Sequence, residues 1–164
     1  MAERFKAIVL KTIVVESHRG FESLSVRMDN TVKQIIVIRT KYPDNNGGFR
    51  KLRTGKIISQ ACHASMAFLS NKLRNADSNN INITLTAEEK LWIDDIFTKV
   101  CVYVETEEEL LNVYENAKSA GLTVNLITDC GLTEFNSVPT NTAIAIGPHY
   151  SDSFKDITGH LPLY

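Results

Sequence analysis

A chain of 164 residues with 43% hydrophobic and 23% charged positions has the proportions of an ordinary globular protein, and it can bury roughly two thirds of its unfolded surface as one domain. That excludes the small scaffolds that depend on disulfides or a structural metal. With a net charge of −1, no apolar run near the roughly 20 residues of a membrane span, and Glu3, Lys11 and Glu16 breaking any leader-like pattern, the chain is expected in the cytosol.

Residues 1–30 read as an N-terminal extension in which Ala7 to Val15 forms an added edge strand, ahead of a domain at 31–164. Lys33 to Thr40 is a β-branched, nearly continuous apolar run, the pattern of a strand covered on both faces. Tyr42 to Arg53, with Pro43, Asn45, Asn46, Gly47 and Gly48, is a loop. From Lys56 the residues Ile57, Ala61, Ala64, Ser65 and Phe68 form one helical stripe, and the helix is expected to run to about Leu73. A polar loop, Asn75 to Asn82, follows.

Thr86 with Glu89 makes a capping box for a second helix through Leu91, Trp92 and Ile96. Val100 to Val104 is a strand. Thr106 with Glu109 repeats the box, and the third helix is expected to end at Gly121. Thr123 to Thr128 and Ala143 to Gly147 are strands. This order predicts an α/β chain, a sandwich with a partly parallel sheet and helices on both faces. Cys62, Cys101 and Cys130 are odd in number and widely spaced, which suggests buried free thiols rather than a disulfide framework.

The charge is uneven. From Lys33 to Arg74 nine Lys and Arg stand against the single acid Asp44, so this segment carries +8 and the rest of the chain −9. Such asymmetry reads as a basic face for a polyanion, against the plainer reading of lysines decorating loops. In an open α/β sheet, ligands gather where strand ends meet helix starts. Two segments fall there, Leu52 to His63 entering the first helix and Thr128 to Glu134 leaving a strand. Gly55 followed by Lys56 at a helix start suits an oxyanion or phosphate, although the spacing of a nucleotide-binding P-loop is missing.

The runs LRTGKIISQACHAS, KVCVYVETEEELL, AGLTVNLITDCGLTEF, VPTNTAIAIGP and DITGHLPLY resemble the type 2 peptidyl-tRNA hydrolases, in order and spacing, from about Lys33 to Tyr164. The chain is similar to the bacterial-type members. The resemblance implies a three-layer α/β/α sandwich around a four-stranded mixed β-sheet, often dimeric. It implies hydrolysis of the ester between tRNA and a peptidyl or N-blocked aminoacyl group, with peptidyl-tRNA as partner and no metal or organic cofactor.

By the same resemblance the glycine-lysine dyad falls on Gly55 and Lys56, the aspartate on Asp129, and the following threonine on Thr133. The second threonine falls on Thr142 or Thr140, Thr142 being the better match. Gln60 and His63 match helix positions lining the family's site. Ester hydrolysis needs a positioned water, a proton acceptor, and donors for the tetrahedral oxyanion. Asp129 suits the proton or the water, Lys56 the oxyanion or the leaving oxygen, and Thr133 and Thr142 water or substrate hydroxyls. Arg50, Lys51 and Arg53 suit tRNA phosphates, with Gly55, Gln60 and Thr140 beside them.

Each of these has a plainer reading. An aspartate at a strand end commonly forms an Asx-turn, and a lysine in a first helical turn is commonly solvated. His63 is either a proton shuttle or base-stacking group, or a histidine packed beside the sheet. The competing function is a tRNA- or ribosome-binding module that keeps the fold without turnover.

Overall fold

In the computed structural model, residues 31–44, 46–74 and 82–164 are described. The extension at 1–30, its edge strand over Ala7 to Val15, and all but the last residue of the polar loop over Asn75 to Asn82 lie outside them. The elements are β1 (Val32–Arg39), β2 (Tyr42–Pro43), β3 (Phe49–Arg50), α1 (Thr54–Arg74), α2 (Ala87–Asp94), β4 (Lys99–Val104), α3 (Glu107–Ser119), β5 (Val124–Asp129), β6 (Thr140–Tyr150) and α4 (Lys155–Thr158), with a 3-10 turn at Ser151–Phe154.

Four strands form one sheet in the order β4-β1-β6-β5. β1 pairs parallel with β4 and antiparallel with β6, and β6 pairs antiparallel with β5, so the sheet is mixed. β1, β4 and β5 therefore all end at the same edge of the molecule. Period-two alternation sends Ile35 and Val37 of β1 toward α3, where they pack with Leu110, Val113, Ile144 and Phe154. Ile36 and Ile38 face the other way, against Ala64, Ala143 and Ala145. With α1 and α2 on one face and α3 and α4 on the other, this is the expected three-layer sandwich.

A buried polar tie fixes α1 on β1. Gln34 donates to the Ser65 carbonyl at 3.1 Å and accepts from the Ser65 hydroxyl at 2.9 Å, so neither side chain is left unpaired in the core. Both capping boxes form, Thr86 with Glu89 and Thr106 with Glu109. Gly121 closes α3 with φ +74°.

Several expectations needed correction. α2 stops at Asp94 instead of reaching Ile96, because the chain turns through Phe97 (φ 63°) and stacks that ring on Trp92 at 3.9 Å. β6 starts before Ala143 and continues past Gly147, where the strand was expected to end; the register shifts between Lys33 and Ile35 of β1, and the strand carries on to Tyr150. All three cysteines are free but exposed, not buried.

Candidate active site

Lys56 lies in the first turn of α1, with its amide bonded back to the Arg53 carbonyl at 2.9 Å. Asp129 is the last residue of β5 and is buried, at 8% exposure. The side chains of these two residues, 73 positions apart in sequence, meet in a partly buried ion pair. Gln60, one turn further along α1, donates to the same carboxylate oxygen, Asp129 Oδ2, at 2.9 Å. Its own carbonyl oxygen accepts from the buried Thr142 hydroxyl on β6 at 2.7 Å. Thr142, Gln60, Asp129 and Lys56 thus form one chain of bonds running from the sheet to the surface. Thr133, exposed, ends it with its hydroxyl 3.4 Å from Lys56 Nζ.

The other oxygen of Asp129 accepts from the Gly131 amide at 2.8 Å, which is the Asx-turn read from sequence as the bland alternative. Both readings hold at once. The turn orients the carboxylate that pairs with Lys56. Gly131 is obligatory there: at φ +84°, an added Cβ would stand 2.3 Å from the Val138 carbonyl oxygen. That close approach folds the 131–138 loop against the end of the sheet and brings Thr133 and Glu134 to α1.

Burial by itself raises the Asp129 pKa, but the bonds from Lys56, Gly131 and Gln60 together with the Lys56 charge outweigh it, and the net shift is downward. The group is a firmly ionised acceptor.

The remaining expected residues divide. Thr142 is in the network, whereas Thr140 turns to the Val138 carbonyl at 2.9 Å and lines a separate cavity of about 680 Å³ with Arg39, Tyr42 and Phe135. Gly55 is exposed, with open space where a Cβ would stand, and leaves the approach to Lys56 clear. His63 is exposed and lines a groove that also touches Gln60, Asp129 and Cys130.

Arg50 and Arg53 do not stand free. Arg53 Nε lies 2.9 Å from Glu134 Oε1 and Arg50 Nη1 lies 3.6 Å from Oε2, with the Glu134 side chain only 7% exposed. Lys51 has no ion pair among the described residues and is exposed.

Glu134 is the residue that sequence reasoning missed. Its only sequence signal was an acid directly after Thr133; the two cations it pairs with, Arg50 and Arg53, lie over 80 positions earlier. The wider charge asymmetry is compensated in the same way: Arg39 pairs with Glu107, Lys41 with Glu105 and Lys72 with Glu89.

The family model for peptidyl-tRNA hydrolase PTH2 matches residues 32–164. The chain belongs to this family. The peptidyl-tRNA hydrolase of Methanocaldococcus jannaschii is 36% identical over 133 residues, covering 80% of this chain and 99% of that protein. That of Methanopyrus kandleri is 37% identical over 132 residues, 80% and 97%. Peptidyl-tRNA hydrolase 2, mitochondrial, of Mus musculus is 28% identical over 149 residues, 91% and 72%. These PTH2 relatives are archaeal and eukaryotic, so the bacterial-type placement has no support from them. Among the described residues of this PTH2 chain, no helix is long and apolar enough to cross a membrane.

Proposed function

We propose that Lys56, Asp129, Gln60, Thr142 and Thr133 form the centre at which this chain, acting in the cytosol as a homodimer, hydrolyses the ester joining a peptidyl or N-blocked aminoacyl group to the 3′ end of tRNA. The supporting observation is the continuous bond chain from Thr142 to Lys56 in a member of the family.

Attack of water on the ester carbonyl builds negative charge first on the carbonyl oxygen and then on the departing 3′ oxygen. Lys56 carries the positive charge for one or both, and Asp129 and Thr133 hold its ammonium in place. Asp129 is held well ionised, which makes it a weak proton acceptor; its role is to fix Lys56 and to orient the water through the lone pair that Gly131 leaves open. Gln60 cannot rotate without losing Thr142 or Asp129, so it sets the carboxylate's position. His63, exposed at the edge of the same groove, is a substrate-contacting group in this scheme, and the proton lost by the attacking water passes to bulk water, which returns one to the departing 3′ oxygen.

The test is release of N-acetylamino acid from N-acetylaminoacyl-tRNA by the full chain with EDTA present. Steady turnover, lost on Lys56→Ala, is the expected result. Binding of tRNA without release would make the chain an inactive tRNA-binding module, and activity restored only by added metal would overturn the cofactor-free scheme.

A further inference from the structure

The sheet order leaves β5 at an edge with no strand beside it among the described residues. The bond from the Gly147 amide to the Thr123 carbonyl sets the alternation: Thr123, Asn125 and Ile127 turn their main-chain groups toward β6, and Val124 and Leu126 turn theirs away. Beside this edge, α1 and β5 enclose a groove of about 430 Å³. It begins at Gln60 and Asp129 and passes His63, Ser70 and Asn71 to Arg74. The span from Gln60 to Arg74 along a helix is about 20 Å. That is room for about six extended residues.

We propose that this groove binds the C-terminal residues of the peptide carried by tRNA, as an extended strand added parallel to β5. The ester then lies at Asp129 and the peptide leads away toward Arg74. The inference rests on the reading of Lys56 and Asp129 as the reaction centre, because the groove opens from Asp129, the carboxylate that pairs with Lys56. The direction follows from chemistry: a peptide is esterified through its C-terminus, so its last residue sits at the carboxyl end of β5 and the rest runs back along the strand. Strand addition draws its affinity from main-chain hydrogen bonds. This suits a substrate whose side chains vary without limit.

Two further observations favour a peptide. Asn125 Nδ2, behind Asn71, is buried with no hydrogen-bond partner, and a carbonyl entering between Asn71 and β5 would satisfy it. Apart from the His63 imidazole, the groove's polar lining is amides, hydroxyls, one carboxylate, one thiol and one arginine, with no Phe, Tyr or Trp. A single RNA strand would call for stacking faces and several cations.

The experiment uses the full chain and one tRNA carrying N-acetylalanine, N-acetylpenta-alanine, or that pentapeptide N-methylated at alternate residues in either of the two registers. The pentapeptide is expected to have a kcat/KM roughly ten- to a hundredfold above the single residue, mostly through KM, the effect of two or three added main-chain bonds. One N-methyl register should abolish most of that gain and the other little of it, because an edge strand bonds only alternate residues of its neighbour. Asn71→Trp, at an exposed helix position, should flatten the gain by filling the groove.

Equal kcat/KM for the short and long substrates overturns the groove alone, as does a gain indifferent to both registers. If Asn71→Trp instead weakens binding of uncharged tRNA, the groove holds RNA. Failure to hydrolyse either substrate overturns the reaction centre on which the groove depends.

Discussion

Replacing Asp129 by Asn removes one charge and one acceptor while keeping the shape. The carboxylate takes three donors: Lys56 and Gln60 on Oδ2, and the Gly131 amide on Oδ1. An amide has a single oxygen, so in either orientation its NH₂ faces a donor. Bonds to a charged group contribute about 1.5–3 kcal/mol each. Lys56, with 17% of its side chain exposed, can turn partly to water and recover some of that. A net loss of about 2–3 kcal/mol follows, which lowers Tm by about 5–10 °C in a chain of this size.

The kinetic loss should be larger. With Lys56 no longer fixed and the water no longer oriented, kcat should fall on the order of 10²- to 10⁴-fold, with KM little changed. The assay is release of N-acetylamino acid from charged tRNA at a temperature where circular dichroism shows the variant folded. Turnover within about threefold of wild type would mean that Asp129 only shapes the turn, and the reaction centre would have to be sought elsewhere.

Glu134→Ala should free Arg50 and Arg53, steepening the fall of log affinity for tRNA with log salt by about 0.9 for each cation that then reaches a phosphate. An unchanged slope in a filter-binding titration would place the tRNA away from these arginines. As for pH, the folded pKa of Asp129 lies below its unfolded value. Its contribution to stability and activity is therefore fully present above the ordinary carboxylate range near pH 4, and disappears as pH falls through the lower folded value. A kcat/KM profile flat from about pH 7 to 5 is expected, and an acid limb near pH 6 to 7 would assign the titration to an imidazole.

Much of the fold was legible in the sequence where local rules decide it. The two Thr/Glu boxes mark helix starts because each box satisfies its own amides, and the unbroken apolar run of β1 reflects burial on both faces. What sequence could not carry was pairing across the fold. The nine cations from Lys33 to Arg74 look like one basic face when read in line, yet Arg39, Lys41, Arg50, Arg53, Lys56 and Lys72 each meet a carboxylate supplied by residues 89–134. Where Thr140 and Thr142 each point also depends on strand geometry. The β5–β6 register shifts between Ile127 and Thr128, opposite the stretch between the two threonines, and only Thr142 reaches Gln60.

The same pairing has a consequence in time. A ribosome delivers Arg39, Lys41, Arg50, Arg53 and Lys56 well before Glu105, Glu107, Asp129 and Glu134. Until residues 105–107 have emerged, all five cations lack these intramolecular counterions, and Arg50 and Arg53 lack theirs until residue 134, in surroundings rich in RNA. The proposed reaction centre is therefore among the last features of the chain to become possible. A product of translation stalled before Asp129 would keep its adhesive, positively charged stretch and lack the residue that restrains Lys56.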